Sequence, residues 1–125
     1  NEIEKLINQC GIDKNDFRKI VVSNGPGSLT GIRIGISTGL GLAFALGIEC
    51  AGLSLLEGYK SVTEQKPVVT IIPAGKGQSY YQFFDETGGG AISLINNDSL
   101  FSLAEQYSQS FFAAHPDLSE HLSFL

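Results

Sequence analysis

Asn24-Gly25-Pro26-Gly27-Ser28-Leu29-Thr30-Gly31-Ile32-Arg33-Ile34-Gly35 joins a short β-branched run to a long apolar segment in which small residues recur every four positions. Residues four apart on a helix sit nearly above one another, so Gly31, Gly35, Gly39, Ala43 and Gly47 form one slanting stripe of minimal side chains. An interior glycine costs a helix about 1 kcal/mol relative to alanine, so Gly35, Gly39 and Gly41 together give up roughly 2–3 kcal/mol. A close backbone contact is the natural compensation, with Ile34, Ile36, Leu40, Leu42, Phe44 and Leu46 filling the space around it. Two readings stay open: a helix or sheet of the same domain, or a helix of another subunit.

Working outward, residues 2–10 read as a helix with Ile3, Leu6, Ile7 and Cys10 on one face and Gly11 as its C-terminal cap. A turn with Asp13 and Asp16 follows. Lys19 to Ser23 (KIVVS) reads as a buried strand, residues 29–46 as the glycine-rich helix, and Ile48 to Leu53 as a second strand. Ser54 opens another helix with Leu55, Leu56, Tyr59 and Val62 on its inner side. Pro67 to Pro73 and Ser79 to Phe84 flank the turn Gly75-Lys76-Gly77-Gln78 as a hairpin. Gly88-Gly89-Gly90 demands a mobile or sharply bent connection, Ala91 to Ile95 adds a strand, and Asp98 or Ser99 caps a helix to about Tyr107. Residues 110–125 carry no clear pattern. Strand-helix-strand-helix followed by a meander predicts a mixed α/β sheet with flanking helices in a single domain, 1–125, without repeats or linkers.

Composition narrows the function classes. The chain has 125 residues, 42% of them hydrophobic and 17% charged, which suffices for one globular core. A formal charge of −5 and scattered Lys and Arg leave no basic stripe, so direct binding to a nucleic-acid backbone is not expected. Cys10 and Cys50 sit in no CxxC or His/Cys cluster, which fits free thiols in a reducing cytoplasm. The uncharged run Ile34 to Ile48 is 15 residues long, short of the roughly 20 a membrane span needs. A buried or interfacial helix is expected instead, with no membrane partner. Residues 1–16 are polar and show no signal-peptide pattern. The chain starts at Asn1 and contains no Met, which predicts further polypeptide upstream.

A glycine loop between strand and helix presents backbone N–H groups at a positive dipole end, so phosphate binding is the first chemistry to test. Gly25-x-Gly27-x-x-x-Gly31 loosely matches a dinucleotide fingerprint, but Glu49 lies at the wrong end of the next strand and Ser54 occupies the place of the ribose-binding acid. No Lys-Ser or Lys-Thr follows Gly31, so the phosphate-loop pattern fails. Ser28 lacks the Gly-x-Ser-x-Gly frame of a nucleophile and suits N-capping, as does Thr30. His115 and His121, with Asp117 and Glu120, fit no metal-ligand spacing and read as surface residues. Arg33 opposes the helix dipole and calls for an anion, in a local salt bridge or across an interface, unless its stem simply lies along apolar surface. Lys76 and Gln78 carry no catalytic signature.

Gly25-Pro26-Gly27-Ser28-Leu29-Thr30-Gly31-Ile32-Arg33-Ile34-Gly35, then Gly41-Leu42-Ala43, Leu46-Gly47-Ile48 and Gly52-Leu53-Ser54-Leu55-Leu56-Glu57, resembles the TsaB (YeaZ) family of bacteria over about residues 19–58. The resemblance implies an actin-like ATPase fold (ribonuclease H-like, ASKHA), here without the family's N-terminal strands, and a non-catalytic scaffold role in making threonylcarbamoyladenosine (t6A) on tRNA. It implies a TsaD-like catalytic subunit and a TsaE-like ATPase as partners, a homodimer when alone, tRNA reached only through the complex, and a cytoplasmic setting. It implies no cofactor of the chain's own, with ATP or ADP and Mg only at the interface of the complex. The glycine-rich helix and the helix before it form the subunit interface in that family. Ser28, Leu29, Thr30, Gly31, Arg33, Ile34, Gly35, Ser37, Thr38, Gly39 and Leu42 are thereby expected at or under a docking surface, with no catalytic or metal-binding residue. The family's hairpin pattern Asp-Ala-Arg-Arg-Gly-Glu-Val-Tyr is replaced by Pro73-Ala74-Gly75-Lys76-Gly77-Gln78-Ser79-Tyr80. The acidic residues are gone, one arginine is lost to Gly75 and the other is replaced by Lys76, which favours the scaffold. The rivals are an ATP-binding enzyme of the same fold and a homodimeric module without a tRNA role.

Overall fold

A computed structural model describes residues 1–125 as two compact units, Asn1–Asn24 with Ser28–Leu53, and Gly25–Gly27 with Ser54–Leu125. In the first unit, α1 spans Glu2–Cys10. The Asn1 side chain accepts from the Ile3 and Glu4 amides at 2.8 and 3.3 Å, and Gly11 closes the helix at φ 63°, a left-handed conformation suited to glycine. After a 3₁₀ turn at Lys14–Asp16, β1 (Lys19–Ser23) leads into α2 (Leu29–Leu46), and Gly47 turns the chain into β2 (Glu49–Leu53). The β1 and β2 strands pair in parallel, Ile20 opposite Cys50 and Val22 opposite Gly52. This strand starts one residue later than the sequence suggests. Ile48 is held by the helix end, its N–H donating to the Ala43 carbonyl at 3.0 Å.

The expectation that KIVVS is buried is corrected. Its residues alternate between exposed and half-buried, and Val21 is 56% exposed. A two-stranded sheet with α2 on one side leaves its other face open, where Lys19 and Glu49 form an ion pair at 3.0 Å.

The second unit holds the large core. Here α3 (Leu55–Lys60) is followed by β3 (Val68–Gly75), β4 (Gln78–Asp85), β5 (Gly88–Gly89), β6 (Ser93–Asn96), α4 (Leu100–Gln106) and β7 (Phe111–Ala114). The sheet order is β5-β4-β3-β7, with β6 also paired to β4. β3 and β4 form the expected hairpin, and β7 lies parallel to β3, so the sheet is mixed. Val68 to Ile72 are all buried because both faces of β3 are covered. On one side Val69 and Ile71 pack with Leu100, Leu103 and Leu118, and on the other Val68 packs with Phe84 and Ala113.

Three further expectations are adjusted here. Helical spacing puts Val62 on the inner side of its helix, but α3 stops at Lys60 and Val62 is 74% exposed. Neither Asp98 nor Ser99 makes a side-chain cap, since a 3₁₀ turn at Asn97–Ser99 leads directly into α4. Strands form two sheets rather than one. The glycine run is sharply bent: the Asp85 carboxylate accepts from the Thr87 amide (2.8 Å), the Thr87 hydroxyl (2.6 Å) and the Gly88 amide (3.2 Å), and Gly88 sits at φ 138°.

Candidate docking surface

The glycine loop and α2 carry the candidate site, and local hydrogen bonds account for the loop. Ser28 caps α2, its Oγ accepting from the Gly31 amide at 3.4 Å. The Gly25 carbonyl accepts from the Leu55 amide at 2.7 Å, so the loop's course is fixed by the chain itself. No group of three or more His, Cys, Asp or Glu is placed to hold a metal. His115 pairs with its neighbour instead, its Nδ1 accepting from the Asp117 amide at 3.2 Å with the carboxylate at 3.5 Å.

The small-residue stripe divides between two roles. Gly39 and Ala43 are buried within the unit, and a Cβ built on Gly39 would overlap Val22 Cγ1 with Ile20 Cγ2 at 3.5 Å. Gly39 therefore lies behind the surface, letting α2 lie flush on β1. Gly35, Gly41 and Gly47 have open space where a Cβ would stand, and a Cβ on Gly31 would meet only Ser28, at 3.7 Å. The internal reading holds at one pair of positions, and the stripe drifts out to solvent at its ends.

Of the residues expected at the surface, Ser28, Leu29, Thr30, Gly31, Arg33, Ile34, Gly35, Ser37 and Thr38 are exposed, while Leu42 is half-buried beside an apolar cavity. Arg33 makes no ion pair within the chain, so the local salt bridge considered for it is not formed. Two residues of this face were not singled out from sequence: Leu40 is 54% and Phe44 91% exposed, alongside Leu29 at 64% and Ile34 at 63%. At about 100° per residue, Leu29, Leu40 and Phe44 fall within about 60° of one another, a clustering that helical spacing alone would have shown. Between them and Ile34 run the small or polar Thr30, Ser37 and Gly41. That is a ridge-and-groove surface a second helix can enter.

Four large exposed apolar side chains on one helix are more than scattered surface residues need. The 18 residues of α2, at mean hydropathy 1.5, also reach the length and composition of a membrane span.

The family profile described as TsaD, tRNA N6-adenosine threonylcarbamoyltransferase, matches residues 1–109. The chain is 44% identical over 89 residues to the tRNA threonylcarbamoyladenosine biosynthesis protein TsaB of Bacillus subtilis, covering 70% of this chain and 39% of that protein. It is 35% identical over 57 residues, 46% of this chain and 17% of the other, to the tRNA N6-adenosine threonylcarbamoyltransferase of Geotalea uraniireducens. Among solved structures, YeaZ from Pseudomonas aeruginosa superposes with a TM-score of 0.58 at 25% identity, over 77% of this chain and 50% of that one. The chain thus spans about half or less of the relatives it matches. The fold is of the actin-like class.

Proposed function

We propose, on the premise that this chain belongs to the TsaD family of tRNA N6-adenosine threonylcarbamoyltransferases and within it to the TsaB (YeaZ) proteins, that it is a non-catalytic docking subunit in making threonylcarbamoyladenosine on tRNA. The observation that carries this reading is the outer face of α2, where Leu29, Ile34, Leu40 and Phe44 are exposed on a helix anchored from behind by Gly39. A rigid apolar face without a cover inside its own chain is suited to a partner. The partner is a TsaD-like catalytic subunit, with a TsaE-like ATPase joining the assembly and tRNA reached through it, in the cytoplasm. Without that partner the same face pairs two copies. Any ATP or ADP with Mg belongs at the interface of the complex.

Arg33 strengthens the docking reading over a lipid one. An exposed cation with no carboxylate of its own chain, set among Thr30, Ser37 and Thr38, suits an acidic residue opposite it rather than hydrocarbon. The decisive variant is Phe44→Asp. At 91% exposure its loss leaves the fold stable to within about 0.5 kcal/mol, while a charge on the apolar face abolishes co-elution with a TsaD-type protein on size exclusion. Undiminished co-elution would sink the assignment of this face.

A further inference from the structure

In the second unit, the segment after β7 hangs from a single hinge. The His115 amide donates to the Ile71 carbonyl at 3.0 Å, which ties the end of β7 to β3. Beyond that bond the backbone pairs locally, Leu118 with His115, Ser119 with Pro116 and Leu122 with Leu118. Side chains supply the remaining attachment. Leu118 is 2% exposed among Val69, Ile71, Leu100 and Leu103, Leu122 packs on the same cluster, and Phe124 meets Phe101 of α4 edge to face at 5.2 Å. Residues 116–125 thus form a strap over β3 and α4, entered through a 3₁₀ turn at Pro116–Leu118.

His115 is the N-cap of that turn, and two groups of Asp117 compete for its Nδ1. The Asp117 amide donates to Nδ1 at 3.2 Å, so the hydrogen-bond network assigns the ring proton to Nε2. The Asp117 carboxylate lies 3.5 Å from the same nitrogen, outside the roughly 2.7–2.9 Å of a charge-assisted hydrogen bond. Protonation reverses the preference. Nδ1 then carries a hydrogen that opposes the amide hydrogen, donor against donor, and its proper acceptor is the carboxylate. A lone pair and a proton cannot occupy Nδ1 together, so the two bonds exclude each other. From α3, the titratable group against the ring is Tyr59, with centroids 6.0 Å apart. Neither Glu57, which is exposed, nor Lys60, which lies over the Phe84 ring, forms an ion pair with His115. β3 and β7 carry no ionisable side chain, and Glu120 and His121 of the strap are exposed.

We propose that His115 is a proton-operated latch for this strap. Neutral, it caps the turn that seats Leu118 in the core. Protonated, it surrenders the Asp117 amide and swings to the carboxylate, which opens the turn one residue before Leu118 and loosens Leu118 and Leu122 from β3 and α4. The strap has no other backbone tie to hold it there.

The test is NMR of the isotope-labelled chain between pH 8 and 5, the interval in which histidines ordinarily change charge. As the His115 ring signals titrate, the Asp117 amide should shift with the same midpoint. Its exchange, corrected for the intrinsic effect of pH, should quicken about fivefold or more. The methyl signals of Leu118 and Leu122 should move with them, while those of Val68, on the other face of β3, stay in place. His115→Asn keeps a capping oxygen that does not titrate, so the strap should stay seated across the whole interval. His121→Asn should leave the response intact. Titration of His115 without movement of the Asp117 amide and Leu118 would overturn the proposal, as would a response that survives His115→Asn or disappears in His121→Asn. None of these outcomes bears on the outer face of α2.

Discussion

The two units bury their strands very differently. In the second, five consecutive residues of β3, Val68 to Ile72, are 0–1% exposed, and two apolar clusters grip the sheet from opposite faces. In the first, the only buried residues of α2 are Gly39 and Ala43, and α1 has none. Charge divides the same way. Five Lys or Arg and five Asp or Glu cancel in the first unit, whereas three against eight give the second the whole formal charge of −5. One unit carries its own core and a repulsive, acidic exterior. The other is neutral, thinly packed and apolar outside, which is the profile of a surface completed by association.

The largest effect should separate the units directly. Ile71→Ala deletes a fully buried side chain between β3 and α4 and costs about 2–5 kcal/mol, read as a lower urea midpoint. Val21→Ala, an equally β-branched strand residue in the first unit but 56% exposed, costs about 0.5 kcal/mol or less. Equal losses would mean that β1 is covered as well as β3, and the contrast between the units would fail.

A middle-sized effect probes the divided glycine stripe. Gly39→Val forces a side chain into Val22 and should cost about 1–3 kcal/mol by pushing α2 off β1. Gly35→Leu meets open space and replaces an unfavourable helix residue, so the isolated chain should keep or slightly raise its stability. The same change obstructs an approaching helix and should weaken co-elution with a TsaD-type partner. Gly35→Leu behaving like Gly39→Val in the isolated chain would return the whole stripe to the interior.

Legibility in the sequence followed the same division. Helices 2–10 and 29–46 were placed at their observed bounds because Gly11 and Gly47 stop them in left-handed conformations that sequence reveals. The hairpin at Gly75–Gln78 was legible through its turn residues. Burial was not legible for KIVVS, since an apolar β-branched run reads as a covered strand whether or not a cover exists. Strand β7 was hidden because Phe111 to Ala114 is short and gains its identity only from pairing with β3, more than forty residues away in sequence. For the docking face, the period of four points to Gly39, which is internal, while the same pattern makes Leu40 and Phe44 filler around the contact. Spacing could locate the stripe but could not say which flank met β1, because that depends on Val22 across the fold.

The smallest expected effect lies in the acidic unit and depends on pH. Hydrogen bonds from the Thr87 hydroxyl and amide, with a further one from the Gly88 amide, hold the Asp85 carboxyl below its ordinary value of 3.8. A folded pKa below the unfolded one contributes stability that is fully present above about 3.8 and disappears as pH falls through the folded value. Asp85→Asn should therefore lower the thermal midpoint slightly at neutral pH, and the difference from the parent should vanish in strong acid. Because Asp85 ends β4 at the turn into β5, amide exchange should quicken at Thr87 and Gly88 while Leu6 and Phe44 stay unchanged. A change that spread to α1 and α2 would show the two units to be one cooperative structure, and the contrast in burial would then describe two parts of a single folding unit rather than two parts with separate stabilities.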